Sequence, residues 1–344
     1  MIFKILKVVR SMFVDLRYRL HYLQARNYSV LFNWDLSGVY ANTDWLCKET
    51  LADCTILFVF AGRKDRMSAS MVYLNQLLKQ KSVDYIHIWN FSRNISDFNW
   101  VKSLNDPEKK IYVFSPVNFG KYTHYAYRLY KTAYSFYTKD CYRKINFIKS
   151  DDDMVFIETD KELFKQFVHQ IKLINEPQSS HFLVSSNVVN NGVCAYYQQK
   201  EFKLIPHDIG DCYFPCDNDI PGFAMEAYWD GGEKSEKLHH YFLAKSKNFI
   251  NMARVIDPVN IKIGTRVSIN FIGFKQDSIK KFLKSRCQDD EKFLTAELSN
   301  QLNKHVQIFM PLVSSHLSYF TQSLQNDDDL IVKYFKWIDS WEMI

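Results

Sequence analysis

From Thr55 onward the apolar positions become regular. Thr55–Ala61 is an unbroken apolar run of strand length, and Met67 to Lys79 carries Met71, Leu74, Leu77 and Leu78 on one side at helical spacing. The alternation then repeats. Asp84–Trp89 reads as a second strand, residues 97–104 as a short helix, Ile111–Phe114 as a third strand, and Thr123–Tyr137 as a helix leading to a fourth strand, Ile145–Ile148. Continuous apolar strands between amphipathic helices predict an α/β domain: a mostly parallel sheet with helices on both faces. Such sheets bind ligands at the carboxyl ends of their strands. Residues 61–63, residues 90–94 and the acids Asp151, Asp152 and Asp153 are therefore expected to meet on one rim.

The later half is less periodic. A helix is expected from Asp160 to Ile174, a break at Pro177–Ser180, and a strand at His181–Ser185. A turn with adjacent glycines, Tyr228–Gly232, should precede a helix at Glu233–Leu243. A strand is expected at Val267–Ile272, and Asp289-Asp290-Glu291 should open a helix through Leu302. At the amino terminus Ile2, Ile5, Leu6, Val9, Phe13, Leu16, Leu20 and Leu23 recur at spacings of three and four, which predicts an amphipathic helix. The division that follows is a basic arm and linker over residues 1–45, one domain over 52–322 and a terminal helix over 323–344. No internal repeat or low-complexity tract interrupts it.

Composition narrows the chemistry. With 344 residues, 47% hydrophobic and 24% charged, the chain can bury a full core in the manner of a soluble globular protein. It has 10 glycines and neither a P-loop nor a G-x-G-x-x-G fingerprint, so any nucleotide must be held without those cradles. Seven scattered cysteines suggest a reducing compartment, and no stretch reaches the roughly 18 apolar residues that span a bilayer. A cytoplasmic protein is expected. Much of the net charge of +6 falls in the arm, where Lys4, Lys7, Arg10, Arg17, Arg19 and Arg26 face only Asp15. Residues 1–26 would suit the inner, anionic face of a membrane, or pack on the body of the protein.

The run Asp151-Asp152-Asp153 lies between two expected strands, with no helix start to explain it. Three carboxylates so close repel one another, which a divalent cation offsets; oxygen ligands suit magnesium or manganese, and such an ion can hold a diphosphate. By contrast Asp327-Asp328-Asp329 precedes a helical pattern and needs only capping and dipole to account for it. Arg63, Arg66 and Arg93 can reach a diphosphate from the same rim, and Phe60 or Phe91 can pack a base.

These pieces resemble the metal-dependent glycosyltransferases of the GT-A fold, over roughly residues 52–322. Residues 149–156 resemble the DxD-bearing strand end of the beta-1,3-galactosyltransferase-like enzymes, where the acids hold manganese against a nucleotide-sugar diphosphate. Asp289-Asp290-Glu291 is similar to the acidic helix start that supplies the catalytic base in inverting members. Residues 314–318 resemble the segment that carries a late metal-binding histidine. The resemblance implies Asp151, Asp153 and His316 as ligands of Mn2+ or Mg2+, and Asp290, favoured over Glu291, as base. It implies Phe60, Ala61, Gly62, Arg63, Arg66, Asn90, Arg93, Asp151 and Asp152 as contacts of the donor. It departs from the family in reading Asp-Asp-Glu where Glu-Asp is usual, and in lacking the anchor and lumenal disulfides of eukaryotic members. The expected activity is inverting transfer of a galactose-type sugar, galactofuranose included, from a UDP-sugar to a hydroxyl of a bacterial surface glycan or its lipid-linked precursor. Two other classes compete: a non-catalytic basic module for RNA or lipid head groups, and a metal-dependent phosphoryl-transfer enzyme. Because the aromatics fall within apolar elements, no specific nucleic-acid partner is expected.

Overall fold

The computed structural model describes residues 34–35, 53–116, 130–211, 232–287, 289–317 and 327–340. The amphipathic arm expected over residues 1–26, the linker and most of the Tyr228–Gly232 turn lie outside the described residues. Strands β1 (Trp34–Asp35), β2 (Thr55–Ala61), β3 (Tyr85–Asn90), β4 (Ile111–Pro116), β5 (Asn146–Asp151), β6 (Met154–Ile157), β7 (His181–Val189), β8 (Val259–Asn260), β9 (Phe271–Phe274) and β10 (His305–His316) form one mixed sheet. Its order is β1-β4-β3-β2-β5-β9-β7-β10-β6, with β8 beside β10.

Direction matters more than order. β2 is parallel to β3 and β5, β3 to β4, and β7 to β10; β9 runs antiparallel to both β5 and β7. Hence β4, β3, β2, β5, β7 and β10 all point one way, and their carboxyl ends share one edge. The start of β9 reaches that same edge from the opposite direction. This is the mostly parallel α/β sheet that the apolar runs predict, with antiparallel members added.

Helices α1 (Lys64–Lys79), α2 (Ile95–Ser103), α3 (Tyr130–Phe136), α4 (Lys161–Leu173), α5 (Gly192–Tyr196), α6 (Glu233–Arg254), α7 (Gln276–Lys284), α8 (residues 290–302) and α9 (Asp327–Ser340) complete the described fold. Local chemistry sets several boundaries. Asp160 caps α4 by accepting from the amides of Glu162 and Leu163, and Asn191 caps α5 by accepting from those of Val193 and Cys194. Helix α9 begins at Asp327. That terminal helix packs on the main core: Leu330 and Tyr334 are fully buried, and Trp337 meets Phe156 edge-on with ring centroids 5.1 Å apart.

Two expectations need correction. The strand read at Val267–Ile272 lies at Phe271–Phe274: Val267 donates to the Thr295 hydroxyl, and the backbone meets β5 at Asn270, whose carbonyl accepts from the Asp151 amide at 2.9 Å. The helix read as Glu233–Leu243 continues to Arg254, with non-helical dihedrals at Lys245. The 12-residue strand β10 escapes the apolar pattern because Pro311 interrupts it. Its pairing with β7 shifts register between Phe309 and Val313, and the proline occupies that irregular stretch, where no ladder amide is needed.

A band of rings fills one face of the sheet. Phe58 stacks on Tyr137 at 5.0 Å and meets Tyr134 and Phe274 edge-on. Trp89 Nε1 donates to the Tyr137 oxygen at 2.9 Å, and His87 Nδ1 lies 3.1 Å from the same oxygen. Burial pushes His87 down to about 3, so it sits there as a neutral ring.

Candidate metal and donor site

β5 delivers Asp151 to the rim, and a two-residue turn, Asp152-Asp153, sends the chain back as β6. The tip is tied down from two sides. Ser70 on α1 donates to the carbonyls of Asp152 at 3.1 Å and Met154 at 2.6 Å, and the amide of Leu317 donates to the Asp153 carbonyl at 2.8 Å. That last bond sets the end of β10 beside the tip. His316 Nε2 consequently stands 3.1 Å from Asp153 Oδ1 and 3.9 Å from Asp151 Oδ2.

One ligand atom from each of Asp151, Asp153 and His316 lies within 4.8 Å of the others. Asp153 is buried, and its Oδ1 accepts no well-formed hydrogen bond. An under-satisfied carboxylate oxygen facing an imidazole nitrogen at the end of a sheet fits a divalent ion, which these two carboxylates and one imidazole could hold. Burial alone would lift the Asp153 carboxyl. The charges of His316 and Arg63 outweigh it and hold the group well below the usual carboxylate range.

Asn270 Nδ2, at the head of β9, approaches Asp151 Oδ2 at 3.3 Å and His316 Nε2 at 3.1 Å. Asn191 Nδ2 in turn donates to Asn270 Oδ1 at 3.0 Å, and Asn190 Nδ2 donates to the His316 carbonyl at 2.9 Å. The ends of β7, β9 and β10 therefore brace one another around the ligand atoms.

Asp152, expected among the donor contacts, is engaged within the protein. Its Oδ2 accepts from the amides of Gly62 at 2.6 Å and Arg63 at 2.8 Å, and its Oδ1 takes the Arg63 guanidinium. Both oxygens are consumed in clamping the turn between β2 and α1. The same bonds engage Gly62 and Arg63, while Ala61 is buried and its carbonyl accepts from the Phe91 amide at 2.6 Å. The turn amides already point at a carboxylate of the protein, and the Arg63 guanidinium also pairs with Asp153 Oδ2 at 2.8 Å. A Cβ on Gly62 would lie 3.3 Å from the Phe91 carbonyl, which explains the small residue.

The other expected contacts divide. Arg66 is buried, and its charge helps to keep Asp153 ionised. Asn90 is a buried brace: Nδ2 donates to the Phe98 carbonyl and the Ser115 hydroxyl, and Oδ1 accepts from the Ser92 amide. Arg93 is exposed on the loop after β3. Phe60 is half-buried, edge-on to Phe91 at 5.3 Å, with the Lys149 ammonium 5.7 Å from its ring centre.

Asp290 Oδ2 accepts from the Tyr134 hydroxyl at 3.0 Å, while Oδ1 accepts from the Glu291 amide at 3.1 Å. Burial pushes Asp290 up to about 6, against the lowering effect of the Lys149 charge. Glu291 instead pairs with Arg266 Nε at 2.7 Å, and Arg266 also reaches Asp289 at 3.0 Å. Of the two acids expected at this helix start, Asp290 has no direct ion pair with a cation among the described residues.

Lys149 joins the two halves. It is buried, bonding to Asp151 Oδ1 and, at 2.9 Å, to the Ile269 carbonyl. Strand alternation puts residues 149 and 151 on one face, so its place was open to sequence reasoning, which gave it no role. Asn270 and Tyr134 carried no such signal, since distant elements bring them to the rim.

No family model matches this chain, and no curated protein matches it in sequence. No described helix is long and apolar enough to cross a membrane.

Proposed function

We propose that this protein is an inverting, metal-dependent glycosyltransferase with a GT-A-like domain. It would move a galactose-type sugar from a UDP-sugar to a hydroxyl of a surface glycan or its lipid-linked precursor, in the cytoplasm or at the inner membrane face. One observation supports the reading above all others: Asp151, Asp153 and His316 converge near Asp290, a half-buried carboxyl whose affinity for protons is raised. Those three side chains would hold manganese or magnesium, and a bound divalent ion supplies charge neutralisation for a departing diphosphate.

The remaining work falls to the chain itself. Asp290, anchored through the Tyr134 hydroxyl, keeps a spare lone pair with which to take a proton from the attacking hydroxyl. Its raised affinity for protons suits that exchange near neutral pH. Arg63 and Arg66 keep Asp153 ionised, and Asn270 orients both Asp151 and His316. Attack on the face opposite the leaving group would invert the anomeric centre, as a base placed across the sugar does in inverting glycosidases.

The test is a panel of UDP-sugars with manganese, scored for transfer and for slow release of free sugar to water. Turnover of one UDP-hexose, lost in Asp153→Asn, is the expected result. Turnover of nucleoside triphosphates with every nucleotide sugar inert would replace this reading with phosphoryl transfer, which uses similar ligands.

A further inference from the structure

The metal corner carries its own cations. Asp151, Asp152 and Asp153 face Arg63 and Lys149 in direct ion pairs, and the charge of Arg66 is felt at Asp153 as well. Lys149 is the most enclosed of these, with its side chain 4% exposed, pinned between Asp151 Oδ1 and the Ile269 carbonyl above the Phe60 ring. An ammonium so placed has nowhere to retreat when a second cation arrives at the same carboxylate.

Resting on the metal site described above, we propose that Lys149 is a positioning residue and built-in counter-ion: it holds Asp151 in place while weakening divalent binding by the protein alone. Tight retention of the ion then requires an anionic diphosphate to arrive with it. The physical basis is direct. Like charges a few Å apart inside a protein repel strongly, and a diphosphate restores the balance that the ion upsets. Metal and diphosphate consequently bind with positive coupling, each strengthening the other by the same factor. The corner would release its ion as product UDP departs, and the empty site stays ordered because Lys149 takes over Asp151.

Manganese titrated into the full chain, followed by electron paramagnetic resonance with and without UDP, tests this without an activity assay. Wild type should bind manganese weakly alone and about tenfold or more tightly with UDP. Lys149→Met and Lys149→Gln remove the charge and should each bind manganese alone about tenfold more tightly, with a smaller gain from UDP. Lys149→Arg keeps the charge and should resemble wild type. The glutamine variant retains a donor for the Ile269 carbonyl and so guards against a methionine variant that fails to fold.

Unchanged or weaker manganese binding in a folded Lys149→Gln overturns the proposal while leaving the metal site standing. Wild-type protein that takes up no manganese, with UDP or without, removes the site and the proposal together.

Discussion

A carboxyl lifted to about 6 by burial titrates where an assay can follow it. If Asp290 is the base, the rate should fall as pH drops through that value, since only the carboxylate can accept a proton; the added charge of a bound ion should move this limb lower. The sign for stability is opposite. The folded chain holds the Asp290 proton more tightly than the unfolded chain, so this group favours folding at low pH and ceases to as pH rises through about 6. Asp290→Asn should reduce transfer by about 10²–10⁴-fold while UDP binding, measured calorimetrically, stays near wild type. Asp153→Asn should instead abolish manganese uptake, because it removes the charge on which His316 and Arg63 converge. Asp152→Ala should leave manganese binding largely intact yet lower stability by about 1–3 kcal/mol in a denaturant melt, since the amides of Gly62 and Arg63 lose their acceptor. Residue types alone could not separate these roles. All three acids are aspartate, and only the contacts distinguish ligand from clamp.

Helix α4 is held to the sheet by a missing side chain. A Cβ on Gly273 of β9 would lie 2.2 Å from Ile171 Cδ1 and 2.4 Å from its Cγ1, so the glycine is the seat into which a fully buried isoleucine packs. Gly273→Ala should cost about 1–3 kcal/mol in thermal or denaturant unfolding, and Ile171→Val in the same chain should recover part of it. Failure of the double variant to recover would mean that the strain lies elsewhere. Helix α9 reaches the site through a buried polar contact. Tyr334 donates to, or accepts from, the Ser315 hydroxyl at 2.7 Å and lies 2.8 Å from His239 Nδ1, directly behind His316. The apolar runs of β2 and β3 announced themselves because strands buried on both faces are largely apolar. β10 did not, because Pro311 breaks its pattern and the break is absorbed by a register shift that no local signal encodes.

At the scale of the molecule, the carboxyl ends of six strands and the head of one antiparallel strand make a single polar edge above an aromatic core. A site so dispersed along the chain should stabilise the whole domain when filled. Manganese and UDP together should therefore raise the melting temperature by more than the sum of their separate effects, read by differential scanning fluorimetry. The sequence by itself determined the class of sheet, the acids at the end of β5 and the helix that begins with Asp290, because local periodicity and charge repulsion act within a few residues. Only the tertiary structure decided that Asp152 clamps a turn, that Glu291 is spent on Arg266, and that Asn270 stands beside Asp151 and His316. Such partnerships depend on which strand lies beside which and in what direction, and that is settled by packing the entire sheet.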